Sequence, residues 1–223
     1  MARTRPVVAI DGPAGAGKST VARQVAERLG FIRVDTGALY RAVGLIALER
    51  GVSLEDGPAL GTLASGLELA FVEGPSGPRL TVNGSDREDD LRTPDVADAA
   101  SKVSALPEVR AALLEAQREM GVDGGVVLEG RDIGTVVFPD AEVKVFLTAS
   151  AEARARRRLG DLEQRGVEST YEDVLAAMRA RDTRDSSRKH APLKPAEDAT
   201  VVDSTEMTQD EVVAHIAGLA QQS

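Results

Sequence analysis

The chain has no cysteine and no tryptophan, only two histidines, and aromatic residues amount to 3% of its 223 positions. Without cysteine there is neither a disulfide framework nor a thiolate metal site. His190 and His215 stand far apart, which leaves no histidine-rich spacing for a zinc centre. No run approaches the ~20 apolar residues that span a bilayer. After the basic start at residues 1–5, the apolar stretch covers only residues 7–10 before Asp11 and Gly12 interrupt it, too short for a signal peptide. The expected compartment is therefore the cytoplasm. A net charge of −9 argues against general binding to duplex nucleic acid or to an anionic membrane surface.

What the sequence does contain is an ordinary apolar share, 42%, beside 28% charged residues, enough for one compact α/β domain with a modest insertion, or for a domain and a half. Positive charge is concentrated. Residues 154–194 hold eleven Lys and Arg against seven Asp and Glu, a balance of +4 that leaves −13 for the remainder. Such a segment is either a pair of solvated helices or a focused anion site.

Short apolar runs alternate with helical periodicity. Residues 7–10 and 31–34 read as buried strands. Between them Val21, Val25 and Leu29 fall in helical register, with Gly30 as the stop. Thr36 is placed to cap a helix carrying Leu39, Val43 and Ile46. Strands are expected again at 126–128, 143–147 and 199–202, with helices at about 94–104, from 107, at 151–165 and at 171–184. Thr208 followed by Glu211 is a capping box opening a last helix. Residues 67–72 and 80–82, with a turn at 73–78 and the hairpin pair Asn83 and Gly84, read as a small antiparallel insertion. The expected fold is a five-stranded parallel sheet with helices on both faces.

The strongest single motif is GPAGAGKS at 12–19, the pattern of a phosphate-binding loop set between a strand and a helix. Its glycines let successive amides converge on phosphate oxygens, and the helix start adds a positive dipole end. Gly12, Pro13, Ala14, Gly15, Ala16, Gly17, Lys18, Ser19 and Thr20 are the candidate triphosphate cradle. Lys18 reaches for the β- and γ-phosphates and Ser19 offers a hydroxyl to Mg²⁺. A guanine-reading N-K-x-D sequence is absent, which weakens a GTPase reading. Transfer between two anions needs further cations. Arg154, Arg156, Arg157 and Arg158 on one expected helix, then Arg179, Arg181, Arg184 and Arg188 on and just beyond the next, supply them and suit a mobile lid.

Four landmarks in order, IDGPAGAGKS (10–19), DTGALYR (35–41), EGRDIGTVVFP (129–139) and RDTRD (181–185) followed by Arg188 and APL (191–193), resemble the bacterial cytidylate kinases along nearly the whole chain. The antiparallel insertion fits that resemblance too, because the family enlarges its monophosphate-binding region there. The resemblance implies an enzyme that moves the γ-phosphoryl group of ATP, with Mg²⁺, onto CMP and dCMP. It implies that Arg41, Arg131 and Arg188 hold the acceptor phosphate, that Ser101, Arg110 and Asp132 read cytosine, and that Arg181 and Asp185 meet the ribose and phosphate. Arg157 and Arg158 would cover the donor phosphates, leaving Lys18, Arg131, Arg158 and Arg181 as catalytic cations. The family carries an acid where Glu129 stands, and Thr36 replaces a common serine while keeping its hydroxyl.

The implied organisation is a core of residues 1–35, 122–150 and 199–223, a monophosphate region at 36–121 and a lid at 151–198. The expected partners are the small-molecule substrates ATP, CMP and dCMP, bound by a monomer. Two other readings stay open: a kinase for UMP, AMP or a small metabolite, and a non-catalytic ATP-binding regulator.

Overall fold

The structure is a computed structural model that describes residues 3–72, 74 and 77–222. Of the turn expected at 73–78, residues 73, 75 and 76 lie outside the described residues, as do residues 1 and 2 of the basic start. The chain divides into two compact units, Met1–Arg33 with Asp123–Ser223, and Val34–Val122.

The first unit is built on a parallel sheet. β1 (Val7–Asp11) is buried along its whole length, which matches an apolar run with neighbours on both sides. β1 pairs in parallel with β6 (Val126–Gly130) and with β7 (Val143–Thr148), and β7 pairs with β8 (Thr200–Asp203). β2 (Ile32–Asp35) completes the order β2-β6-β1-β7-β8. Register places Asp11 beside Gly130, so the loops that leave β1 and β6 start next to one another at the carboxyl ends of adjacent strands. That is where open α/β sheets bind ligands. Gly12 has φ +151°, and a Cβ there would lie 2.0 Å from the Leu147 carbonyl oxygen, so only glycine can leave β1 by this route.

Helix α1 (Lys18–Leu29) follows, with Val21 and Val25 facing Val8, Ile10, Val145 and Leu147 in the core. It ends on Gly30 at φ 64°, the left-handed stop read from the sequence. Two further helices, α6 (Ala151–Gln164) and α7 (Tyr171–Ser186), share a small core of Ala155, Leu162, Val174 and Met178. The last helix, α8 (Gln209–Ala220), opens with the expected capping box of Thr208 and Glu211.

The second unit contains α2 (Thr36–Glu49), α3 (Gly57–Ser65), a three-stranded antiparallel sheet of β3 (Leu69–Val72), β4 (Arg79–Val82) and β5 (Ser85–Asp86), α4 (Pro94–Val103) and α5 (Pro107–Glu119). Asn83 (φ 51°) and Gly84 (φ 75°) make the hairpin turn between β4 and β5. Leu39, Val43, Leu60, Leu80, Val103 and Leu113 anchor its apolar core. One local expectation is corrected. Asp35, not Thr36, caps α2: its carboxylate accepts the Ala38 amide at 3.2 Å, while Thr36 is already helical. Helix α3 was not expected from the sequence, because glycine and proline at its start mask the periodicity of Leu60, Leu63 and Ala64.

Candidate active site

The loop after β1 has the form its glycines allow. The Lys18 ammonium is buried and donates to the Pro13 carbonyl at 2.7 Å, which curls the loop onto the start of α1. Burial holds that ammonium well below its usual range, and the nearby Arg131 and Arg181 guanidiniums push it the same way against Glu129 and Asp11. The Ser19 hydroxyl donates to Glu129 Oε2 at 2.6 Å, and Arg33 donates to Glu129 Oε1 through Nε at 3.1 Å and Nη2 at 2.7 Å. Glu129 is thus fixed on one side by a guanidinium fork and turned on the other toward the phosphate loop.

A second network lies in the same unit. Asp185, wholly buried, binds Arg131 Nε at 3.1 Å and Arg188 Nη2 at 2.5 Å, with Arg181 Nε at 3.9 Å. Burial alone would raise the Asp185 carboxyl, but Arg131, Arg188 and Arg181 outweigh it and hold it below the ordinary value. One carboxylate therefore organises three of the five arginines that the resemblance assigns to the acceptor. Two of the three also act electrostatically on Lys18. Around Asp185 three guanidiniums meet one carboxylate, an arrangement suited to bound phosphates.

The arginine run of α6 divides its work. Arg154 turns inward: Nη1 donates to the Ala14 carbonyl of the phosphate loop at 3.0 Å, Nε to the Ala149 carbonyl at 2.9 Å, and the fork engages Asp182 of α7 at 3.2 and 2.6 Å. Arg157 donates to the Ser204 carbonyl at 2.6 Å and to its hydroxyl at 3.1 Å. Arg158 is half-buried; burial lowers its guanidinium from the usual value, Arg165 adds to this, and Asp161 opposes it.

Asp132 is buried at the end of the strand β6, where the chain passes into one turn of π-helix (Ile133–Val137). The turn is held from outside. Asp11 accepts the Ile133 amide on Oδ1 and the Gly134 amide on Oδ2, each at 2.8 Å. Burial pushes the Asp11 carboxyl up to about 6, with Asp132 adding to it and the two amides and Lys18 opposing.

In the second unit Arg41 Nη2 pairs with Asp35 Oδ2 at 2.7 Å, one turn into α2. Arg110 donates to the Ser104 carbonyl at 3.3 Å, and its guanidinium lies 5.8 Å from the centre of the Tyr40 ring. Ser101 and Thr36 are buried. Arg41, Ser101, Arg110 and Thr36 thus belong to the second unit, whereas the loop residues, Arg131, Asp132, Arg157, Arg158, Arg181, Asp185 and Arg188 belong to the first. Asp11, Arg33 and Arg154 are positioning groups that the motifs do not mark as such. Asp11 and Arg33 stand at or next to strand ends flanking the motifs, which was the available signal; nothing in the helical pattern of α6 marks Arg154 as the inward one.

Among the described residues no three His, Cys, Asp or Glu side chains gather into a metal cage, and no helix is long and apolar enough to cross a membrane. Residues 8–222 match the family model described as cytidylate kinase. The chain is 52% identical over 207 residues to a cytidylate kinase of Geobacter sp. strain M21, covering 93% of this chain and 89% of that protein. It is 47% identical over 216 residues to the cytidylate kinase of Pasteurella multocida strain Pm70, covering 97% and 95%. Among solved structures, a gluconokinase from Sinorhizobium meliloti 1021 shares the fold with a TM-score of 0.50 at 16% identity, covering 99% of this chain and 94% of that one.

Proposed function

The chain belongs to the cytidylate kinase family, and from that premise we propose that it transfers the γ-phosphoryl group of ATP in line onto CMP and dCMP, yielding CDP and dCDP. The observation that carries this reading is the local cluster of cations around Asp185: Arg131, Arg181 and Arg188 gathered on one carboxylate, with buried Lys18 beside Arg131 and Arg181. Two phosphorylated substrates supply the missing negative charge, and the same cations follow charge onto the group in flight.

The phosphate loop, residues 12–20, is assigned to the triphosphate, with Arg158 over its phosphates. The half-burial of Arg158 beside Arg165 favours an anion there. Arg157, whose guanidinium rests on Ser204, is assigned with Arg158 to the donor phosphates. Arg41, Arg131 and Arg188 are assigned to the acceptor phosphate, and Arg181 and Asp185 to the acceptor's ribose and phosphate. Asp185 performs that task chiefly by orienting guanidiniums, since it is wholly buried.

Asp132 accepts the cytosine amino group and Arg110 donates to the ring acceptors, with Ser101 and Thr36 as hydroxyl contacts. Uracil turns an oxygen toward the carboxylate, which disfavours UMP. Ser19 and Glu129 fit Mg²⁺: they present hard oxygens 2.6 Å apart at the foot of the loop, suited to a cation that keeps most of its own water. When bound, Mg²⁺ neutralises charge on the donor phosphates. The core, monophosphate region and lid are proposed at the bounds given above, in a cytoplasmic monomer that binds neither nucleic acid nor membrane.

A coupled ADP-release assay with Mg·ATP and CMP, dCMP, UMP, AMP and shikimate in parallel tests the reading. Turnover confined to CMP and dCMP is expected. Equal turnover of UMP would overturn the base-reading assignment, and binding of ATP with no turnover of any acceptor would overturn the catalytic one.

A further inference from the structure

Asp11 is the last residue of β1 and immediately precedes the phosphate loop, yet its side chain does nothing for that loop's backbone. It reaches across the sheet to the next crossing of the chain. Both carboxylate oxygens are spent on consecutive amides, Ile133 and Gly134, at 2.8 Å each. Those amides immediately follow Asp132, whose backbone sits at φ −151°, ψ 26°, outside the regular strand and helix regions. The Asp132 carbonyl is itself engaged by the amides of Val136 and Val137. The peptide that sets the direction of the Asp132 side chain is therefore pinned on both sides, by the π-turn behind it and by Asp11 in front.

A carboxylate accepting from two buried amides is a strong, directional clamp. Burying it within reach of a second buried carboxylate, Asp132, is unfavourable, and apolar residues would fill the space at lower cost. The charges facing Asp11 are few. Its register partners, Gly130 on β6 and Phe146 on β7, carry none. Asp132 opposes its ionisation and Lys18, at the start of α1, favours it. Lys144, the charged residue of β7 packed near Gly134, has its ammonium taken by Asp198 and the Pro139 carbonyl.

We propose that Asp11 is a positioning residue for acceptor selection: by holding the Ile133 and Gly134 amides it fixes the turn that aims Asp132 at the acceptor base. The proposal rests on the reading of Asp132 as the base-reading carboxylate. It acts only while Asp11 is ionised. Protonation replaces one acceptor oxygen with a hydroxyl, leaves one buried amide poorly paired, and frees the turn. With the carboxyl pushed up to about 6, that change falls just below neutral pH. Selectivity for cytosine should then weaken on mild acidification, while triphosphate binding, which depends on the loop, persists.

The experiment measures kcat/KM for CMP and for UMP with Mg·ATP from pH 5 to 8 in the wild type, Asp11→Asn, Asp132→Asn and the double variant. The ratio of the two acceptors is the quantity read, because titration of the monophosphate is common to both and cancels. ATP affinity is measured separately by equilibrium binding.

In the wild type the CMP-to-UMP ratio is expected to be flat above pH 7 and to fall below about 6. Asp11→Asn is expected to lower the ratio about 10-fold at pH 7.5, the scale of losing one buried charge-assisted hydrogen bond. It should also abolish the acid limb, and any change in ATP affinity through Lys18 should be smaller than the change in the ratio. The double variant should resemble Asp132→Asn, since Asp11 acts through Asp132.

If Asp132→Asn lowers the ratio and Asp11→Asn does not, or if Asp11→Asn depresses both acceptors equally, Asp11 is structural only and the proposal is overturned. If Asp132→Asn leaves the ratio untouched, the reading beneath it fails as well. Should Asp11→Asn not fold, the wild-type profile decides alone: a ratio constant from pH 8 to pH 5 overturns the proposal.

Discussion

The two units hold their polar site residues by different physics. In the first, charged side chains are buried and fixed by one another: Asp185 on three guanidiniums, Glu129 between Ser19 and Arg33, Arg154 between Ala14 and Asp182. In the second, an apolar core spread over α2, α3, β4, α4 and α5 sets the helices, and Arg41, Ser101 and Arg110 ride on them with short-range contacts to Asp35, Ser104 and Tyr40. Polar networks are costly when one member is missing. Apolar scaffolds tolerate the loss of a polar passenger. The same kind of substitution should therefore have unequal consequences in the two units, which gives three ways to break the comparison.

The largest effect is expected at the hub of the first unit. Asp185→Asn leaves Arg131 and Arg188 facing an amide in place of a carboxylate. Stability should fall by about 3–5 kcal/mol, as for removing one partner of a buried ion pair, and turnover should collapse with it. Urea unfolding at pH 7 checks the first and the ADP-release assay the second. The sign with pH follows from the direction of the shift. Because the folded carboxyl lies below its ordinary 3.8, its contribution is fully present above that value and is lost as pH falls through the folded one. The stability difference between wild type and Asp185→Asn should therefore shrink below about pH 4.

A smaller effect is expected at Arg154. Arg154→Met keeps the stem that packs under the loop and removes the bonds to Ala14 and Asp182. The ATP dissociation constant should rise about 10-fold, the scale of losing charge-assisted hydrogen bonds to the loop backbone. Equilibrium binding measures it. An unchanged constant would mean that the loop holds its shape without α6.

The smallest effect belongs to the second unit. Arg41→Lys keeps the charge and loses the planar fork, so the KM for CMP should rise about 5-fold while ATP affinity and thermal stability stay at wild-type values. If this variant unfolded as readily as Asp185→Asn, the distinction between networked and scaffolded polar residues would fail.

Much of the molecule is legible in its order of residues. The phosphate loop follows from GPAGAGKS, the stop of α1 from Gly30, the β4–β5 turn from Asn83 and Gly84, and the opening of α8 from Thr208 and Glu211, because each depends on neighbours within a few positions. The strands follow from short apolar runs, and the parallel sheet from their alternation with helices. The members of the candidate site are also present as motifs, with Lys18, Arg131, Asp132, Arg181, Asp185 and Arg188 all inside them or just beyond.

Roles within the site were decided by the tertiary structure. Asp35 took the cap from Thr36 because its carboxylate reaches the Ala38 amide. Arg154 turned inward from the row of arginines on α6 because a helix directs every third or fourth side chain toward its own support. Asp11 binds amides 122 and 123 residues away because parallel register sets β1 against β6. Local spacing determines which groups are available. Which carboxylate meets which guanidinium or amide depends on strand order and on burial, which removes competing water and makes each pairing obligatory.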